Sequence, residues 1–100
     1  MEVHVMQEGS SARFTLNGKI DEGGAEELKA RFLGLNRTAL KEVVFDFKAV
    51  THIGSAGIGK LLLFYKELAI SGGTIRILHA SETIRDLFRV LKLDTIFTIS

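Results

Sequence analysis

Cysteine is absent from the 100-residue sequence, which removes a disulfide framework, a thiol nucleophile and a thiolate metal site in one step. Proline is absent too. With no low-complexity segment and no internal repeat, nothing marks a linker, and residues 1–100 are expected to form one domain. Neither sign of charge dominates, since 13 lysines and arginines stand against 12 aspartates and glutamates; no basic field argues for nucleic acid. No apolar run is long enough to span a bilayer, and Met1-Glu2-Val3-His4-Val5 lacks the basic start and apolar core of a secretion signal. The expectation is a cytoplasmic chain with no membrane insertion. His4, His52 and His79 share no metal-ligand spacing, and neither a metal nor another cofactor is expected.

What is present is an alternation of strand and helix patterns. Val3, Val5 and Gln7 alternate with His4 and Met6, and after Glu8-Gly9-Ser10-Ser11 the residues Ala12, Phe14 and Leu16 alternate with Arg13, Thr15 and Asn17. This predicts an antiparallel hairpin with one wet face. Asp21 is a good N-cap, with Glu22, Glu26 and Glu27 near the positive end of a helix dipole and Ala25, Leu28, Phe32 and Leu35 on one helical face. Val43 to Phe47 is apolar except for Asp46, as in a central strand covered on both faces or nearly so. Asp46 itself suits a strand end facing solvent or capping a loop. Strand patterns on either side of a helix imply a crossover and parallel pairing. Ser71-Gly72-Gly73 closes a second helix, Thr74 to Leu78 is a strand, Ser81 caps a third helix carrying Ile84, Leu87, Phe88 and Leu91, and Thr95 to Ile99 is a last short strand. The order ββαβαβαβ predicts an α/β domain with a mixed sheet.

These elements are organised around Val50-Thr51-His52-Ile53-Gly54-Ser55-Ala56-Gly57-Ile58-Gly59-Lys60, where an extended apolar run gives way to a long helical pattern and Ser55 falls at the corner. The first N–H groups of a helix lack intrahelical partners and the dipole is positive there, so Ser55 could cap the helix, and an anion placed on it would be stabilised. In the helix that follows, Ile58, Leu61, Leu62, Tyr65, Leu68 and Ala69 make one broad core face, while Leu63 and Phe64 project to either side of a polar stripe of Lys60 and Glu67. Exposed, Leu63 and Phe64 would form a docking surface beside Ser55. The competing reading is that a neighbouring helix covers them.

The stretch from Asp46 to Gly59 resembles the signature of the STAS domain, in particular of bacterial anti-sigma factor antagonists, whose pattern reads roughly LDLSxVxxIDSSGLG. The resemblance extends through Leu16-Asn17-Gly18-Lys19-Ile20-Asp21, Gly72-Gly73-Thr74-Ile75 and Leu87-Phe88-Arg89-Val90-Leu91. It implies helices packed mainly on one side of the sheet and a non-enzymatic regulator. It further implies binding to an anti-sigma factor serine kinase when unphosphorylated, release on phosphorylation at Ser55, and restoration by a serine phosphatase. The partner surface it suggests comprises Asp21, Gly54, Ser55, Ala56, Gly57, Lys60, Leu63 and Phe64, and the family's acid at Asp46 implies a role near the Ser55 pocket. Gly54 stands where the family has an acidic residue, and Ala56 where it has a second serine. The family usually adds one more C-terminal helix. With the sequence ending at Ser100, the surface left uncovered is a reason to expect a homodimer or another partner.

Other classes stay open. A STAS scaffold subunit of a signalling or lipid-transport assembly would carry the same motif with Ser55 unmodified. Gly54 to Leu61 also matches a phosphate-binding loop up to its last position, where Leu61 replaces the magnesium-holding hydroxyl. The plainer reading of these glycines is a tight turn and close helix–sheet packing. A serine hydrolase is disfavoured because Ile53 breaks the G-x-S-x-G elbow and His52 is too near in sequence to reach round to Ser55.

Overall fold

The alternation in the first twenty residues becomes two long strands. In the computed structural model, which describes residues 1–100, β1 (Glu2–Glu8) pairs antiparallel with β2 (Ser11–Ile20), Glu2 opposite Asn17 and Glu8 opposite Ser11. The turn between them is tight because Gly9 adopts φ +59°, a left-handed conformation that glycine accepts without steric cost. Ala12, Phe14 and Leu16 are buried on one face, and Arg13, Thr15 and Asn17 meet water on the other.

Helix α1 (Glu22–Leu33) begins where Asp21 predicts, the Asp21 carboxylate accepting from the Gly24 N–H at 2.9 Å. A short 3-10 turn (Arg37–Ala39) leads into β3 (Glu42–Ile53), and α2 (Ser55–Ala69) follows directly. Helix α2 closes at the predicted glycines: Gly72 turns left-handed at φ +76°, and Gly73 N–H donates to Leu68 O at 2.8 Å. Then come β4 (Thr74–Leu78), α3 (Glu82–Val90) capped by Ser81, a second 3-10 turn (Leu93–Thr95) and β5 (Phe97–Ile99). The last strand starts two residues later than its apolar pattern, because the turn takes up Thr95.

The strands lie in the order β1-β2-β3-β4-β5, parallel throughout except for β1. That order never reverses, so three right-handed crossovers place α1, α2 and α3 on the same side of the sheet. Between the sheet and the helices 22 buried residues form one contiguous cluster, the mark of a single core. Its backbone is aromatic: Phe14 contacts Phe45 with ring centroids 4.8 Å apart, and Phe47, Phe88 and Phe97 meet edge to face at 6.1 and 6.4 Å. No helix of the molecule is long and apolar enough to cross a membrane.

Strand β3 departs from the expected strand in two ways. It runs on to Ile53, and two register shifts against β2 give it extra residues, so its buried side chains change from alternation at Val43, Phe45 and Phe47 to every third residue at Val50 and Ile53. It is also covered by helices on one face only. Val44 is nonetheless buried on the other face, where its cross-strand neighbours are Arg13 and Arg76, side chains with methylene stems long enough to lie over it.

Helix α2 is rotated from the expected orientation. Its buried face is Gly57, Leu61, Phe64 and Leu68; Leu62 and Ala69, expected inside, are exposed, and Ile58 and Tyr65 are half-buried. Phe64 is 1% exposed and stacks on Phe32 of α1, centroids 4.3 Å apart and planes 9° from parallel, with Phe45 of β3 on its other flank at 6.1 Å. The competing reading was therefore right for Phe64: α1 covers it, and it is no part of a docking surface.

Candidate functional site

The site begins with the register of two strand ends. Ile20 of β2 lies opposite Ile53 of β3, and the Gly54 N–H donates to Ile20 O at 3.0 Å, tying the two strand-to-helix corners together. Asp21 and Gly54 thus start neighbouring helices from adjacent strand ends, roughly 5 Å apart as parallel strands are.

Gly54, not Ser55, occupies the cap position of α2. Its backbone is extended (φ −96°, ψ 178°) and it offers no side chain, so α2 starts without the side-chain cap that Asp21 gives α1 and Ser81 gives α3. Ser55 is one residue further, the first inside the helix, and is exposed. Its hydroxyl is consequently free of a structural task, next to backbone N–H groups that no side chain satisfies. Negative charge added to that oxygen would sit at the positive end of the helix dipole.

Other expected members fall into two groups. Ala56, Lys60 and Leu63 line an open groove of about 520 Å³ between the N-terminal halves of α1 and α2, opposite Glu22, Ala25 and Glu26, and Leu63 is 39% exposed. Lys60 Nζ bridges the groove to Glu26 Oε1 at 3.5 Å. Gly57 instead faces inward: a Cβ there would lie 2.6 Å from Ile20 Cγ2 and 2.9 Å from Ile53 Cγ1, so this glycine lets the helix approach the sheet and offers no contact to a partner. The plain packing reading of the glycines holds at this position.

The phosphate-loop reading is overturned. The residues from Ser55 onward are helical and Leu61 is wholly buried, so Gly54 to Lys60 forms no cradle of free N–H groups round a phosphate chain. The strand order also lacks the reversal at which open α/β sheets form a ligand crevice.

Asp46 is not near Ser55. It sits seven residues before Ile53 on β3, roughly 20 Å along the strand, and is held on the helix-free face by Arg13 Nη2 at 2.9 Å, His79 Nδ1 at 3.2 Å and the Lys48 N–H at 3.0 Å. Burial pushes its carboxyl pKa up, but the Lys48 N–H, His79 and Arg13 together outweigh this and hold it below the usual carboxylate range. Its role is to clasp the first irregularity of β3 and to tie β2 to the end of β4. His79 reaches it from a left-handed backbone conformation, φ +59°. Asp21 also titrates low, chiefly because its carboxylate accepts from the Gly24 N–H.

The members that sequence reasoning missed are Glu22, Ala25, Glu26 and Gly59, which reach the site only through the packing of α1 beside α2. His52 is another neighbour. Its Nε2 would lie 3.8 Å from a Cβ on Gly54, a proximity foreshadowed only by the two-residue spacing along an extended segment.

The family model for the STAS domain matches residues 4–100. Among solved structures, a putative anti-sigma factor antagonist from Thermotoga maritima superposes with a TM-score of 0.86 at 17% identity, over 97% of this chain and 84% of that one. The Bacillus cell fate determinant SpoIIAA in its phosphorylated form gives 0.79 at 21% identity, over 99% and 91%. The STAS domain of a SulP transporter from Vibrio cholerae gives 0.66 at 15% identity, over 95% and 77%. At these identities the structural likeness concerns the fold.

Proposed function

The chain belongs to the STAS domain family, and from that premise we propose that it is a non-enzymatic anti-sigma factor antagonist acting in the cytoplasm, with Ser55 as its switch. Unphosphorylated, it binds an anti-sigma factor serine kinase through the corner of Asp21, Gly54, Ser55 and Ala56 and the adjoining edge of α2 at Lys60 and Leu63, displacing the sigma factor. The kinase then transfers phosphate from ATP: the Ser55 oxygen attacks the γ-phosphorus, the bond to the β–γ bridging oxygen breaks, and ADP and a proton leave. A serine phosphatase hydrolyses the ester and resets the switch.

The observation that carries this reading is the exposed Ser55 hydroxyl at the start of a helix with no side-chain cap, one residue from the groove that holds Leu63. Phosphate brings a charge of about −1.5 to −2 at neutral pH. The helix start accepts that charge, so its cost falls on the partner contact, where an apolar surface would have to desolvate it.

The test joins intact mass with binding. Incubated with MgATP and the anti-sigma factor kinase of the same genome, the wild-type chain should gain one phosphoryl group and Ser55→Ala none. Ser55→Asp should melt at or slightly above the wild type, stabilised by up to about 1 kcal/mol, while its affinity for the kinase falls by roughly tenfold or more, about 1.4 kcal/mol. An unfolded Ser55→Asp, or one that binds unchanged, refutes the switch. The likeness to a transporter domain supports a second reading, a scaffold subunit with Ser55 unmodified; recovery with a membrane transporter and no mass change would favour it.

A further inference from the structure

The sheet has a free edge besides those of its two outer strands. Strand β3 runs on to Ile53, but β4 pairs with it only as far as Asp46, opposite Leu78, and the chain then turns away through His79 toward α3. Beyond Phe47, β3 is laddered on one side by β2 and on the other by nothing. A strand presents its N–H and C=O groups to its two sides at alternate residues, so this edge carries a row of backbone donors and acceptors with which no other element of the chain pairs. Such an edge is a template for a further strand.

The edge borders an open groove of about 360 Å³, with Thr51 to Ile53 on one wall and the first half of α3 on the other. Ile84 and Leu87 make the helix wall apolar, and no carboxylate lines the groove. Lys48, on the same strand, and Lys19, the cross-strand neighbour of His52, are exposed and belong to none of the molecule's ion pairs. The surroundings of the edge thus combine an apolar wall with uncompensated positive charge.

The geometry points to this edge as the binding site for an extended peptide segment of another protein, added to β3 as a further strand, with an apolar side chain against Ile84 and Leu87 and an acidic one toward Lys48 and Lys19. At about 3.3 Å per residue the free edge takes roughly six residues. Backbone pairing selects an extended chain whatever its sequence, and the apolar wall and the two lysines select among sequences. A second copy of this chain fits less well: the strand it could offer is its outer β1, so the contact would be heterologous and each copy would keep a free edge for the next. The site flanks the end of β3 on the side away from α1, and it stands whether or not Ser55 is phosphorylated.

The test uses synthetic peptides of roughly seven alternating valine and glutamate residues as probes, long enough to follow the edge. One is unmodified, one is N-methylated at every valine and one at every glutamate. Titrated into the isotope-labelled chain, the unmodified peptide should shift the amide resonances of residues 48–53 and of α3. One methylated form should lose roughly tenfold or more in affinity and the other keep it, because only alternate residues of an added strand face β3. Lys48→Glu, an exposed substitution, should bind several-fold more weakly and flatten the salt dependence, and Leu87→Ala should weaken binding as well. Shifts centred on β1 or β5, equal binding of the two methylated forms, unchanged binding by Lys48→Glu, or no saturation at millimolar peptide overturns the inference. A dimer of the chain that Lys48→Glu dissolves makes a second copy the occupant and overturns it too.

Discussion

Replacing Gly57 and Gly59 separately by alanine sets two effects against each other on one helix. Alanine exceeds glycine in a helix interior by about 0.8–1.0 kcal/mol, so on propensity alone both variants would gain. At Gly59 nothing opposes the gain, because the new methyl group finds no heavy atom within 4 Å. At Gly57 the Cβ would lie 2.6 Å from Ile20 Cγ2, 2.9 Å from Ile53 Cγ1 and 3.2 Å from Ile20 O. Both isoleucines are buried and β-branched, so neither can swing aside without moving backbone, and relief requires α2 to lift from the sheet. Overpacking of this kind costs about 1–3 kcal/mol. Since the propensity gain is common to both variants, the difference between them reads the packing cost alone. For a domain of this size each kcal/mol moves Tm by about 4–8 °C, so Gly59→Ala should melt about 4–8 °C above the wild type and Gly57→Ala roughly 4–24 °C below Gly59→Ala. Calorimetric melts with urea midpoints as a second measure decide the matter. Equal stability of the two variants would show that the close approach of α2 to Ile20 and Ile53 is not a tight contact.

Phe64→Ala should lose about 3–5 kcal/mol, since it opens a cavity and removes the stack on Phe32, whereas Leu63→Ala should stay within about 1 kcal/mol of wild type and weaken kinase binding; thermal melts showing equal losses would refute the assigned orientation of α2. Gly54→Asp is sterically open, with His52 Nε2 and Ile20 O at 3.8 and 3.9 Å from the new Cβ, and a carboxylate at this cap should stabilise by a few tenths to about 1 kcal/mol and quicken phosphorylation of Ser55, so an unchanged melt would refute the cap geometry. The Asp46 carboxyl titrates below its ordinary range in the fold, so its contribution is present above the unfolded pKa, about 4, and is lost as pH falls through the folded value. Urea midpoints from neutral pH downward should therefore show Asp46→Asn well below wild type at pH 7 and the gap closing under pH 4; a gap independent of pH would remove the ion pair with Arg13 as its cause.

Local chemistry made much of this protein legible in advance. Asp21 and Ser81 announce their helices because a cap acts on residues two or three positions away, Gly72 marks a helix end because its own backbone must turn left-handed, and the alternation of β1 and β2 follows from the two-residue period of a strand. With these go the element order and the placement of Ser55 at a strand-to-helix corner. Which residue caps α2 was less legible: a serine next to a glycine suggests the serine, but the bond from Gly54 N–H to Ile20 O pins Gly54 in the extended cap conformation and moves Ser55 one position into the helix.

What the sequence by itself determined is thus what contacts a few residues apart carry: the order of strands and helices, the caps at Asp21 and Ser81, the glycine close of α2, and a serine at the strand-to-helix corner. Only the tertiary structure decided which way α2 faces, because Ile58, Leu61, Leu62, Phe64 and Tyr65 leave several helical faces nearly equal in apolarity, and the choice fell to the slot between Phe32 and Phe45 that Phe64 fills. It decided likewise that Asp46 serves Arg13 and His79 across 33 residues on either side, and that Glu26 meets Lys60 over a groove. Partners that distant in sequence are set by how whole elements pack, and no periodicity within one element encodes them.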